Sequence, residues 1–191
     1  MKTEITEIET HRGSVNIKSL IRLSEPTEGA IRRLVTRLKQ EQSLLASRLT
    51  CEAITELLQS NRAVAFGTCP QTIDAFGALW ACKEKRSLEL GTLWISERCR
   101  HRGIAPFLFQ ACDGLQPDKR LFLITAEPVV VAIAIRNGWR LEGNNWKISR
   151  TYLWEDMIIG PLWERYPPSA LKEPGLLLYR EARSGKVVCW T

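Results

Sequence analysis

The run Leu88-Glu89-Leu90-Gly91-Thr92-Leu93-Trp94-Ile95, then Ser96-Glu97-Arg98-Cys99-Arg100-His101-Arg102-Gly103-Ile104-Ala105, decides how this 191-residue chain folds. Its first part suits an extended strand over 88–95. Beyond it Ile104, Phe107, Leu108 and Ala111 recur at helical spacing, which predicts a helix over 104–115. Between strand and helix lies a basic turn that ends in small residues. Such a turn offers backbone N–H groups without partners, with the positive end of the helix dipole behind them. Gly103 and Ala105 let an anion reach the backbone, while Arg98, Arg100, His101 and Arg102 surround it with positive charge. The chemistry this suits is phosphate binding. Gly91, in the middle of the strand, marks a bulge or a place where something approaches the backbone.

Toward the N-terminus, residues 17–23 suit a first strand, and Ser24-Glu25-Pro26 supplies a helix start. Ile31, Leu34, Val35, Leu38 and Leu45 then keep helical spacing. The other face of this helix carries Arg32, Arg33, Arg37, Lys39 and Arg48, which reads first as a solvated face and second as a nucleic-acid footprint. Thr50 caps a second helix whose stripe is Ala53, Ile54, Leu57 and Leu58 and which stops near Ser60-Asn61. The period then becomes extended. Residues 63–67, 73–82 and 88–95 form an antiparallel meander.

Toward the C-terminus, Leu121-Phe122-Leu123-Ile124-Thr125 is an apolar strand of the buried, parallel type. A helix follows over 128–137 and ends at Gly138, and Trp139-Arg140-Leu141 resumes extended structure. Trp139, Trp146, Trp154 and Trp163 crowd the C-terminal part, where they suit core or pocket wall better than base stacking. Residues 176–182 and 186–190 flank Arg183-Ser184-Gly185 as a terminal hairpin, whose edge invites pairing into a homodimer.

A balance of 45% hydrophobic and 25% charged residues suits one globular domain with a sizeable core and excludes disordered or collagen-like chains. No uncharged stretch approaches the ~18 residues a membrane helix requires. The N-terminus has no apolar signal region, so a cytoplasmic protein without membrane partners is expected. The six cysteines form no C-x-x-C pair and read as free, mostly buried thiols. With His11 and His101 as the only histidines, neither a metal site nor a nucleophile–His–acid triad is expected. Lysine and arginine outnumber aspartate and glutamate by 27 to 21, so the expected partner is anionic.

Two N-terminal helices, a three-strand meander and the turn Arg100-His101-Arg102-Gly103-Ile104-Ala105 in the pattern [Q/R]-x-x-G-x-[G/A] come first. A strand, a helix and Asn137-Gly138-Trp139 follow. In this order the chain resembles the GCN5-related N-acetyltransferases, the GNAT superfamily, over residues 17–155 and most strongly over 88–115. The resemblance implies an α+β fold with a GNAT-like central mixed, mostly antiparallel sheet and helices on both faces. It implies an N-terminal segment at 1–16, an acyl-CoA-binding domain at 17–155 and a C-terminal extension with a β-hairpin at 156–191 packed on that domain. It also implies acetyl-CoA, or another short acyl-CoA, with its pyrophosphate on the turn. Arg98, Arg100, His101, Arg102, Gly103, Ile104 and Ala105 would hold that group, and Leu93, Trp94 and Ile95 the pantetheine arm.

Acyl transfer from a thioester to an amine needs a base for the ammonium proton, a donor for the oxyanion and an acid for the leaving thiolate. Glu89 is the candidate base, because some family members that acetylate lysine place a glutamate at the corresponding point of that strand. A solvent-facing strand carboxylate is the plain alternative. Many members carry an asparagine and a general-acid tyrosine where this chain has Val129 and Ala134, and its three tyrosines are Tyr152, Tyr166 and Tyr179. The function expected is an acyl-CoA-dependent N-acyltransferase carrying acetyl to a primary amine of a small molecule, an amino acid or a protein. The alternative is a non-catalytic acyl-CoA-binding or basic nucleic-acid-binding protein on the same fold. The acceptor groove falls to 49–61, the loop 68–72 and the tryptophan-rich segment.

Overall fold

A computed structural model describes residues 20–41, 49–81, 87–125, 127–143 and 176–183. Along them run β1 (Ile21–Arg22), α1 (Glu28–Glu41), α2 (Cys51–Gln59), β2 (Ala63–Gly67), β3 (Ala75–Ala81) and β4 (Ser87–Ile95). After these come α3 (Ile104–Asp113), β5 (Arg120–Thr125), α4 (Pro128–Arg136), β6 (Arg140–Gly143) and β7 (Leu176–Arg180). The strands form a sheet in the order β1-β2-β3-β4-β5-β7-β6. Its pairs are antiparallel at β1–β2, β2–β3, β5–β7 and β6–β7, and parallel at β4–β5. This is the mixed, mostly antiparallel α+β sheet expected from the sequence. Among the described residues, those up to Ala78 with Thr92–Cys112 make one compact unit, and those of Leu79–Gly91 with those from Asp113 onward make a second.

In the first unit, α1 buries Ala30, Ile31, Leu34, Val35 and Leu38, the stripe its periodicity predicts. It starts later than expected. Thr27, not Ser24, is the cap: its hydroxyl accepts from the Ala30 N–H at 3.2 Å, and its own N–H donates to the Pro70 carbonyl at 3.1 Å. That contact with the β2–β3 turn fixes the helix start, and no local signal reports it. Leu45 and Arg48 lie outside the described residues. Thr50 caps α2 as read, accepting from the Ala53 N–H at 3.1 Å, and Ile54 and Leu57 are buried. β2 pairs with β3 from Ala63 opposite Ala78 to Phe66 opposite Ala75. α3 packs directly on β3, since a Cβ at Gly77 would lie 2.2 Å from Cys112 Sγ. Its buried residues include Ile104, Leu108, Phe109 and Cys112, and Phe107 meets Phe66 edge to face at 5.0 Å. The burial arc of α3 is thus wider than the predicted stripe.

In the second unit, β4 runs parallel to β5 with Ser87, Leu88 and Glu89 opposite Arg120, Leu121 and Phe122. Pro128 opens α4, and Gly138, at φ +80°, follows its end. β7 lies between β5 and β6 and pairs with both, although it comes from the segment read as a C-terminal extension. The second strand expected for the hairpin, 186–190, falls outside the described residues.

One buried carboxylate ties this unit together. Asp113, at the end of α3, accepts from Arg180 Nε at 2.5 Å and from Trp139 Nε1 at 3.2 Å, and Arg183 Nη2 also donates to it. Arg180 Nη2 donates to the Asp113 carbonyl at 3.0 Å, and Nη1 to the Glu181 carbonyl at 3.0 Å. Removing one partner of a buried pair leaves the other charged and desolvated, at a cost of about 3–5 kcal/mol. Asp113→Ala is therefore expected to lose stability of that order in urea unfolding. A loss below about 1 kcal/mol would assign the pair the minor weight of a surface ion pair.

Candidate functional site

β4 leaves the sheet at Ser96 under the control of a second buried carboxylate. Asp74 is 1% exposed. Its Oδ1 accepts from Arg98 Nε at 2.8 Å and Ser96 Oγ at 3.1 Å, and its Oδ2 accepts from Arg98 Nη2 at 2.8 Å. The Ser96 N–H donates to the Asp74 carbonyl, and the Asp74 N–H to the Phe66 carbonyl. Asp74 also raises the Arg98 guanidinium above the ordinary arginine range, by hydrogen bonding first and by charge second. Arg98, expected around the phosphate, thus turns its fork onto Asp74.

The chain then makes one 3-10 turn, Glu97–Cys99, before Arg100. Arg100 is also engaged: Nε donates to the Ile95 carbonyl at 3.0 Å and Nη2 to Glu41 at 2.5 Å. His101 and Gly103 have φ of +60° and +76°, the left-handed region that glycine occupies freely and other residues rarely. His101, Arg102 and Gly103 are exposed. Among the described residues, the N–H groups of Gly103, Ile104 and Ala105 have no hydrogen-bond acceptor. The next residue, Pro106, has no N–H to leave unsatisfied and has the φ that a first helical turn requires. Free donors at a helix start, beside an exposed arginine, fit a phosphate group. The fit rests on Arg102, His101 and the backbone more than on Arg98 and Arg100.

The residues expected along the pantetheine arm end β4. Leu93 lies 3.4 Å from where a Cβ at Gly77 would stand, Trp94 is buried, and the Ile95 carbonyl accepts from Arg100. Gly91 has a clear reason. A Cβ there would stand 2.8 Å from Trp80 Cδ1 and 3.1 Å from the Glu89 carboxyl carbon, so the indole and the carboxylate both close over bare backbone. Glu89 is half-buried, which sets it apart from a fully solvated strand carboxylate. Val129 is 66% exposed and Ala134 fully buried, and neither carries a proton to give. Tyr179 on β7 has the Arg120 guanidinium over its ring at 5.0 Å, and Tyr152 and Tyr166 lie outside the described residues. Among the described residues no cluster of histidine, cysteine, aspartate and glutamate could hold a metal ion. None of their helices is long and apolar enough to cross a membrane.

Sequence reasoning missed Asp74, Ser96, Glu41 and Trp80. Only Asp74 carried a signal, as the one charged residue in the apolar run 73–82.

This strand order, with the phosphate-type turn between β4 and α3, defines the class: the chain has the fold of the GNAT N-acetyltransferases. It is similar to an acetyltransferase of the GNAT family from Bacillus cereus, with a TM-score of 0.54 and 15% identity over 86% of this chain and 98% of that one. A protein described as histone acetyltransferase HPA2 and related acetyltransferase, from Corynebacterium glutamicum, gives 0.58 and 10% over 88% and 99%. Diaminobutyrate acetyltransferase EctA from Paenibacillus lautus, in complex with L-2,4-diaminobutyric acid and coenzyme A, gives 0.52 and 13% over 88% and 98%. No family model matches the chain, and no curated protein matches it in sequence. At such identities the likeness is one of fold.

The loop read as part of the acceptor groove carries a perturbed thiol. Cys69 Sγ lies 3.8 Å from Thr72 Oγ1, and that hydroxyl, followed by the Gln71 backbone, lowers the thiol from its ordinary value. Hydrogen bonds to the thiolate favour the charged form, which is the nucleophile. Cys69 is expected to react with iodoacetamide before the buried Cys99 and Cys112, with a pH midpoint below that of a free thiol. Thr72→Val should move the midpoint up. Labelling that is unaltered by the substitution would detach the thiol from that hydroxyl.

Proposed function

We propose that the protein is an acyl-CoA-dependent N-acyltransferase that transfers acetyl from acetyl-CoA, or another short acyl group, to a primary amine. The acceptor is a small molecule, an amino acid or a protein, and the enzyme acts in the cytoplasm. The observation that carries this reading is the turn before α3. There the free N–H groups of Gly103, Ile104 and Ala105 and the exposed Arg102 and His101 occur together on a GNAT fold. Those groups would hold the pyrophosphate, and the end of β4 at Leu93, Trp94 and Ile95 would line the pantetheine arm. The coenzyme supplies the activated thioester carbonyl. The chain's part is to hold it, and to take the ammonium proton at the Glu89 carboxylate so that the amine is neutral when it attacks.

Coenzyme A is expected to raise the melting temperature, because a ligand that binds only the folded state adds about 2.7 kcal/mol at a hundredfold excess over its dissociation constant. Gly103→Glu should abolish that shift. It places a carboxylate where the anion approaches and strains a backbone at φ +76°. A folded Gly103→Glu protein that binds coenzyme A like wild type would put the phosphate site elsewhere.

Glu89→Gln keeps the shape and removes the proton affinity. In a coenzyme A release assay over a panel of amines, kcat is expected to fall roughly ten- to a thousandfold near neutral pH with coenzyme A affinity unchanged. The deficit should shrink as pH rises, since more of the acceptor is then already neutral. An unchanged kcat with an unchanged pH profile would return Glu89 to an ordinary strand carboxylate.

A further inference from the structure

We infer that Asp74 is the positioning residue of the coenzyme A turn and that Arg98 is its brace rather than a phosphate ligand, an inference that rests on the functional reading just given. Asp74 is the last residue before β3, and it is engaged through backbone and side chain at once. Its N–H holds it to the Phe66 carbonyl of β2 at 2.7 Å, and its carbonyl takes the Ser96 N–H at 2.8 Å. The carboxylate then grips Ser96 Oγ and the Nε–Nη2 edge of Arg98. Everything downstream is registered on that grip. The Ser96 carbonyl accepts the Cys99 N–H and the Glu97 carbonyl the Arg100 N–H, and the chain then turns left-handed at His101.

Arg98 is 60% exposed along its side chain, so solvent and any anion can reach it, yet its fork is turned to a carboxylate that is 1% exposed. A bidentate pair of this kind fixes geometry as well as charge. It also neutralises the arginine, so the guanidinium left for a phosphate is that of Arg102, with the His101 ring beside it. Binding groups are effective only when held within about half an ångström of the productive geometry. Asp74 supplies that constraint from outside the turn.

The two roles open to Arg98 predict opposite signs. If Arg98 were a phosphate ligand held back by Asp74, Asp74→Asn would free it and tighten coenzyme A binding. If Asp74 positions the turn, the same change weakens binding, by about ten- to a hundredfold for a loosened site. The measurement is calorimetric titration of the full chain with coenzyme A, at a temperature where circular dichroism shows each variant folded. Ser96→Ala, which removes one hydrogen bond to Asp74 and alters no charge, should weaken binding in the same direction but less.

Tighter binding by Asp74→Asn overturns the inference. So does unchanged affinity in both folded variants, which would leave Asp74 a purely structural role that lowers the melting temperature alone. Should Asp74→Asn fail to fold, Ser96→Ala decides by itself. Gly103→Glu in the same series separates the two levels. If it binds coenzyme A like wild type, the turn is not the site. If it does not bind while Asp74→Asn and Ser96→Ala both bind like wild type, the turn stands and the positioning role falls.

Discussion

A carboxylate taken out of water costs several kcal/mol unless charged and neutral donors replace the solvent it loses. The chain meets that demand with arginine at Asp113, where Arg180, Arg183 and the Trp139 indole converge. The arrangement joins positions far apart in sequence: the end of α3, the residue before β6, and β7, the last of the described strands. Arg180 sits opposite Leu121 at the start of β5, so its pairing with Asp113 also holds β7 in register. A one-residue slip would turn the arginine to the other face and deprive the carboxylate of it. The polar contact thus selects one register among those that the apolar run Leu176-Leu177-Leu178 would accept.

The same chemistry, used at Asp74, shapes the turn after β4. Of the three arginines that crowd that turn in sequence, Arg98 is bound to Asp74 and Arg100 to Glu41 and the Ile95 carbonyl. What these contacts leave is a short exposed stretch, Arg102 and His101 beside three backbone donors. Backbone donors held by the fold cost little reorganisation when an anion arrives, whereas a long side chain must be ordered at that moment. A turn stiffened by two engaged arginines therefore suits an anion better than one with three loose ones.

Legibility in the sequence followed the range of the forces involved. Thr50, Pro128 and Gly138 act on their own helices, and each was readable where it stands. The start of α1 was not, because the Pro70 carbonyl, more than forty residues along, captures the Thr27 N–H. β7 read as a strand, but its place between β5 and β6 depends on pairings that no local pattern encodes. The turn itself was legible because glycine and proline report backbone geometry directly. The engagement of Arg98 was not, since an arginine in a basic loop looks alike whether it faces solvent, phosphate or a buried acid. Gly91 lay between these cases: its close approach was expected, and the approaching groups proved to be the chain's own Trp80 and Glu89.

Under the proposed reaction, the residues found at the general-acid positions bear on which step needs help. A lysine-like ammonium has a pKa of about 10.4, so at pH 7 only roughly one acceptor in two to three thousand is neutral. A thiol of pKa about 8.5 is a far better leaving group: it departs as the thiolate and takes its proton from water afterwards, the thiol being favoured by roughly 30-fold at pH 7. Base catalysis therefore has more than three orders of magnitude to recover and acid catalysis much less. Val129 and Ala134, where the asparagine and tyrosine are expected, leave only the smaller of the two gains unsupplied at those positions. Ala134 is fully buried and its carbonyl accepts the Trp139 N–H at 3.0 Å, so that position serves the end of α4. In that reaction the larger demand would fall on the proposed base Glu89, the carboxylate that β4 holds half-buried against Gly91.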